Sequence, residues 1–211
     1  LSFDEDQEAI YQRPPPLVVI GSAGSGKTAL TLEKLKDAKG DVLYVTRSAF
    51  LAQNARELYG AHRYENPDQE VSFLAFREYL ESIAVPQGRE ITPRAFAAWA
   101  GRQRLPRELK DAHQLFEEFQ GAITGTAEDR AWLDREAYRA LGVRQSIFPP
   151  EQRDAVYDCF ERYLRFLDAE GWFDPNIVSH RWLANVDPAY DLVEVDEVQD
   201  LTNVQLLLIL R

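Results

Sequence analysis

Eight consecutive residues, Gly21-Ser22-Ala23-Gly24-Ser25-Gly26-Lys27-Thr28, follow the apolar run Leu17-Val18-Val19-Ile20 and carry the spacing G-x-x-x-x-G-K-[ST]. The chemistry this spacing suits is the holding of a triphosphate. Backbone N–H groups must converge on the anion at close range, so Gly21, Gly24 and Gly26 stand where a Cβ would forbid the conformations required. Lys27 supplies a point charge for the β- and γ-phosphates and Thr28 a hydroxyl for Mg2+. The helix expected to start there aims the positive end of its dipole at the anion. The competing reading is a glycine-rich turn with a chance lysine. The agreement of strand, loop and helix start at one place argues against it.

A second constellation closes the chain: Leu192-Val193-Glu194-Val195-Asp196-Glu197-Val198-Gln199-Asp200. An acid at the C-terminal end of an apolar parallel strand lies where open α/β sheets bind ligands. Asp196 is suited to hold Mg2+, and Glu197 to orient and deprotonate the water that attacks a γ-phosphate. An acidic turn serving solubility or helix capping is the alternative. Two adjacent acids favour hydrolysis over transfer to a small acceptor, as in a nucleoside kinase.

The elements that must position these groups are legible as α/β alternation. A short helix around Phe3, Gln7 and Ile10 ends at Pro14-Pro15-Pro16, and Leu17–Ile20 reads as the first strand. A helix over 29–35 ends near Gly40, strands are expected over 41–46 and 71–74, and a helix lies between them over 48–59. This alternation predicts a parallel sheet covered on both faces. From Phe76 to Leu183 the strand signal vanishes and helices are expected over 94–104, 107–123, 127–141 (capped by Thr126) and 151–170. In the last, Val156, Tyr157, Phe160, Tyr163, Leu164 and Leu167 form a stripe that reads as core packing. A strand over 191–196 and a helix over 204–210 follow. The expected organisation is 1–76 with 184–211 as a nucleotide-binding α/β domain, and 77–183 as an inserted helical subdomain.

The 211 residues have 45% hydrophobic and 28% charged composition, ordinary for a globular protein. No run of 18 apolar residues exists, and the acidic start LSFDEDQEAI is unlike a signal peptide, so no membrane span or leader is expected. A single cysteine, Cys159, and three scattered histidines exclude an internal disulfide and disfavour a zinc site. The expected location is intracellular, cytoplasmic or nucleoid, or nuclear in a eukaryote. The net charge of −11 opposes a nucleic-acid-coating protein while leaving room for a local basic groove. The start at Leu1 and the absence of methionine point to a fragment of a longer product.

GSAGSGKT together with DEVQD resembles the UvrD/Rep-like superfamily 1 helicases, whose acidic motif reads D-E-x-Q-D. The resemblance implies a P-loop NTPase of RecA-like fold that uses ATP and Mg2+. It assigns Gln7 to the adenine edge and Gln199 to coupling between the γ-phosphate and the nucleic-acid surface. It assigns Tyr44-Val45-Thr46-Arg47-Ser48 and Ser72-Phe73-Leu74-Ala75-Phe76 to strand contact. Asp174 resembles an aspartate of an L-D-F-D-D segment, although a helix cap before Pro175 explains it equally well.

The departures are Ala29 where an arginine is common, Arg47-Ser48-Ala49 for Thr-Asn-Lys, and Ser72 and Ala75 for Thr and His. They suggest a divergent branch of the family. No later arginine-bearing motif precedes Arg211, so the second RecA-like domain of the family is not expected within this chain, which should bind Mg·ATP but hydrolyse it weakly. The expected partner is single-stranded nucleic acid, DNA before RNA, with a protein partner open to the helical insertion. The alternative function is a nucleotide-controlled interaction module without motor activity.

Overall fold

The computed structural model describes residues 5–21, 24–61, 66–126 and 129–211. Among them the strands are β1 (Gly40–Thr46), β2 (Gln69–Ala75), β3 (Arg89–Glu90), β4 (Trp172–Phe173) and β5 (Leu192–Val195). The α-helices are α1 (Glu5–Tyr11), α2 (Lys27–Leu35), α3 (Ala49–Ala61), α4 (Phe76–Ile83), α5 (Pro93–Ala100), α6 (Ala112–Glu118), α7 (Arg135–Arg139), α8 (Arg153–Glu170), α9 (Pro175–Trp182) and α10 (Asn203–Ile209). The chain divides into two compact units, Leu1–Tyr79 with Pro188–Val198 and Leu80–Asp187 with Gln199–Arg211.

The first unit is α/β, a small parallel sheet of order β2-β1-β5 flanked by helices. β1 lies in the middle because its side chains tolerate burial along their length: Val42 to Thr46 are all fully buried. One face of the sheet, Val42 and Tyr44 with Phe73 of β2, packs against Leu32 and Leu35 of α2 and Ala55 and Tyr59 of α3. Lys34 fastens the N-terminal segment to α2, its Nζ donating to the carbonyls of Tyr11 at 2.6 Å and Arg13 at 2.7 Å.

The expected strand over 17–20 does not form. Val18 is 82% and Ile20 90% exposed, and the run joins no ladder among the described residues. An apolar run becomes a buried strand only when strands or helices close over it. Pro14–Pro16, immediately upstream, also lack the N–H donors that would begin a ladder.

The second unit is helical. Its core gathers Phe96 and Trp99 of α5, Phe116 and Phe119, and the α8 stripe Val156, Tyr157, Phe160, Tyr163 and Leu167. Phe96, Phe119 and Tyr163 meet pairwise with ring centroids 5.3–5.5 Å apart. α8 stops at Gly171, whose φ of +66 provides the left-handed C-cap.

Expected helices are shorter than their patterns. Residues 107–123 break into a 3₁₀ turn, α6 and a π-helical turn Phe119–Ile123, and of 127–141 only α7 is α-helical. Asp134 caps α7 by accepting from the Ala137 amide at 2.9 Å. The expected cap, Thr126, has a buried Oγ1 that meets no partner among the described residues, and Ala127 lies outside them. α4, with Phe76, Tyr79 and Leu80 buried at helical spacing, was not among the expected helices, and α9 starts at Pro175 behind the cap that Asp174 offered.

Residues 199–211 cluster with the helical unit rather than with the sheet. The reason is a buried polar junction. Asn176 of α9 accepts at Oδ1 from Thr202 Oγ1 (2.8 Å) and Gln205 Nε2 (2.7 Å), and donates from Nδ2 to the Gln120 carbonyl (2.9 Å) and Thr124 Oγ1 (3.0 Å). Asp174 caps α9 through the amides of Asn176 and Ile177 and also accepts from Gln120 Nε2 and the Tyr163 hydroxyl. Its complete burial raises its carboxyl pKa, against the pull of those four donors.

Candidate functional site

The loop ahead of α2 is built as its glycines require. Gly24 (φ +77) and Gly26 (φ +76, the N-cap of α2) occupy the left-handed region, and a Cβ on Gly21 would stand 2.7 Å from Ser25 Oγ. Lys27 Nζ donates to the Gly21 carbonyl at 2.9 Å, folding the lysine back along the loop. Gln7 reaches the same loop from α1, its Nε2 donating to the Ser25 carbonyl at 3.0 Å. Ser22 and Ala23, expected as loop ligands, lie outside the described residues.

The acidic end of β5 meets this loop. The Asp196 amide donates to the Val45 carbonyl at 3.0 Å, which extends the β1–β5 ladder by one residue and delivers a carboxylate at the C-terminal edge of the sheet. Asp196 Oδ2 accepts from Thr28 Oγ1 at 3.0 Å and from the Tyr44 hydroxyl at 2.6 Å, while Oδ1 accepts from the Glu197 amide at 2.9 Å. Glu197 itself has φ +51, a strained value for a residue with a side chain. Strain of this kind is retained where the surrounding structure fixes it, here through the Asp196 Oδ1 bond. Gln199 sits in the 3₁₀ turn Val198–Asp200 and belongs to the helical unit.

Two neighbours of Asp196 were not expected from the residue pattern. Tyr44 is paired with Glu194 in the β1–β5 register, and burial, reinforced by Asp196, raises its phenol pKa far above the ordinary range. Glu194 has a buried Oε1 with no hydrogen-bond partner. Burial pushes its carboxyl up to about 8, with Asp196 adding to the rise and the Thr31 hydroxyl opposing it. The signal for Glu194 was present as an acid inside the apolar run Leu192–Val195. Nothing short of the strand register reveals Tyr44 as a partner of Asp196.

Of the segments assigned to strand contact by resemblance, Tyr44, Val45 and Thr46 are fully buried, which leaves Arg47 exposed and Ser48 half-buried. Phe73, Ala75 and Phe76 are also buried.

The donor set suits a hard cation. A hydroxyl and a carboxylate stand within hydrogen-bonding distance of each other, and Mg2+ characteristically takes one or two such protein oxygens and fills the rest of its octahedron with water and phosphate. Among the described residues no group of three or more His, Cys, Asp or Glu forms a complete protein cage for a metal. Ser25 Oγ, at the loop, is buried without a partner among the described residues, a donor available to an anion.

Fold and site together define an α/β protein that gathers a glycine loop, a lysine, a hydroxyl and a carboxylate at the C-terminal edge of a parallel sheet. No family model, curated protein or solved structure matches the chain. No helix among the described residues is long and apolar enough to cross a membrane.

Proposed function

We propose that this chain is the N-terminal ATP-binding segment of a UvrD/Rep-like superfamily 1 helicase, with a RecA-like P-loop domain and an inserted helical subdomain. The observation that carries the reading is the Thr28–Asp196 hydrogen bond, which joins GSAGSGKT to DEVQD at one sheet edge. Lys27 exchanges the Gly21 carbonyl for the β- and γ-phosphates, and the amides of residues 24–28 line the phosphate chain. Thr28 and Asp196 would hold Mg2+, which when bound supplies neutralisation of phosphate charge. Glu197 takes the proton of the attacking water as its oxygen bonds to the γ-phosphorus and the bond to the β-bridging oxygen breaks, with ADP leaving. Gln7 meets the adenine edge, Gln199 couples the γ-phosphate to strand binding, and exposed Arg47 offers a contact to a nucleic-acid phosphate.

Binding of a fluorescent ATP analogue in the presence of Mg2+, abolished in Lys27→Ala, tests the nucleotide site. Binding of a labelled single-stranded oligonucleotide that weakens with salt tests the motor reading, and its absence at low salt sinks that reading. A nucleotide-controlled protein-interaction module is the second reading. It is favoured by the net charge of −11 and by the burial of Tyr44, Val45 and Thr46 within the segment assigned to strand contact.

A further inference from the structure

We propose that Tyr44 is a positioning residue for the cation-holding carboxylate of Asp196, an inference that rests on the Mg·nucleotide reading of this site. Tyr44 stands on the central strand, opposite Phe73 on one side and Glu194 on the other. Its ring is fixed in the apolar cluster with Leu32, Leu35 and Phe73, the Phe73 centroid lying 5.4 Å away. A ring held this way brings its hydroxyl to one place, 2.6 Å from Asp196 Oδ2.

Both acceptor positions of that oxygen are then used, one by Tyr44 and one by Thr28, while Oδ1 accepts from the Glu197 amide. The consequence is an oriented carboxylate. When Thr28 Oγ1 turns its lone pair to a cation, the Tyr44 bond remains and keeps the carboxyl group from rotating. Partners of this outer kind fix the orientation of metal ligands, and their loss costs about 10–100-fold in metal affinity. A phenylalanine would fill the same apolar space, so packing alone gives no reason for the hydroxyl. A buried phenol needs a partner in any case. The choice of a strand-end carboxylate already engaged by the loop threonine is what assigns it a role in the site.

The test is Tyr44→Phe in the full chain, with Mn2+ as the probe. Electron paramagnetic resonance measures Mn2+ binding in the presence of ADP, and a fluorescent ADP analogue measures nucleotide affinity in EDTA. The expected result is Mn2+ affinity lowered about tenfold, with cation-free nucleotide affinity and the thermal midpoint unchanged. In an Asp196→Asn background, Tyr44→Phe should have no further effect on Mn2+, because the phenol acts through that carboxylate. Mn2+ affinity within twofold of wild type in Tyr44→Phe overturns the proposal while leaving the site reading intact. Equal weakening of Mn2+ and cation-free nucleotide binding, or a variant that does not fold, assigns Tyr44 to the framework and overturns it as well. A wild-type chain that binds neither nucleotide nor Mn2+ removes the reading on which the proposal rests, and the proposal with it.

Discussion

Thr28 Oγ1 donates to Asp196 Oδ2 at 3.0 Å although 168 positions of sequence separate the two residues. One hydrogen bond thus joins the first turn of α2 to the residue that prolongs β5. Between them in sequence lies residues 80–187 of the helical unit, so whatever that unit does, the chain returns from it to close this site. Lys27, Thr28, Asp196 and Glu197 all belong to the α/β unit.

Under the proposed nucleotide reading, Lys27→Ala should weaken binding of an ATP analogue by at least about 100-fold, since a charge-assisted contact to phosphate contributes roughly 1.5–3 kcal/mol and Lys27 would reach both the β- and γ-phosphates. The thermal midpoint should not move, because Lys27 is half-buried beside the loop and is not part of the apolar cluster. Isothermal titration together with a melting curve checks both halves. A variant that binds ATP as wild type does would remove the loop from the phosphate role.

Glu194 gives the α/β unit a pH dependence whose sign follows from its raised carboxyl. Below its ordinary value of 4.5 the group is protonated both folded and unfolded and contributes nothing. Between 4.5 and about 8 the unfolded chain ionises while the folded chain keeps its proton, so stability falls as pH rises through that window. Glu194→Gln removes the ionisation. The variant should match wild type near pH 4.5 and exceed it by about 1–3 kcal/mol near pH 8, roughly 3–10 °C in melting midpoint. Melting curves of both chains at half-unit pH steps measure the divergence. Parallel curves would mean that the carboxyl is solvated in the native state.

The parts of this architecture that could be read beforehand are those in which local pattern and burial coincide. β1 is buried along most of its length and β2 is capped by Phe73 and Ala75 in the core, so their apolar runs became strands. The run Leu17–Ile20 has the same composition, but among the described residues no strand pairs with it, and composition cannot report a missing neighbour. Helix patterns over 107–123 and 127–141 failed for another reason. The backbone at Phe119–Ile123 widens into a π turn that brings the Gln120 carbonyl and Thr124 to Asn176, and tertiary hydrogen bonds of that kind override local propensity. The site splits the same way. Gly21–Thr28 and Asp196–Glu197 carry their chemistry in their spacing, whereas Tyr44 acquires its partner through the register of β1 with β5.

Glu197→Gln keeps the side-chain volume and leaves the Glu197 amide on Asp196 Oδ1, so the strained turn at φ +51 should persist and the melting midpoint should not change. Nucleotide affinity should be retained. Hydrolysis should fall by about 100-fold or more, the range of a lost general base. Phosphate release, followed beside analogue binding, separates the two effects. Hydrolysis at the wild-type rate would take the base role from Glu197.

Asn176→Ala should be the most damaging single change at the α9–α10 junction. It strips partners from Thr202 Oγ1, Gln205 Nε2, the Gln120 carbonyl and Thr124 Oγ1, in a place where Asn176 itself is fully buried. Stranding buried polar groups costs roughly 1–3 kcal/mol each where water cannot replace the partner, and relaxation recovers part of that, so a loss of about 2–4 kcal/mol is expected. The effect should be local to the junction. Backbone amides of α10, held at its start by the Val204 amide on the Gly125 carbonyl at 3.1 Å, should exchange with solvent faster, while those of β1 keep their protection. Hydrogen exchange followed by mass spectrometry resolves the two regions. Asn176→Asp should cost stability too, because a carboxylate cannot donate to the Gln120 carbonyl and brings a second charge toward buried Asp174. If α10 kept wild-type protection in both variants, the apolar contacts of Val204 and Leu208 would be what fastens that helix, and the polar junction would be incidental to it.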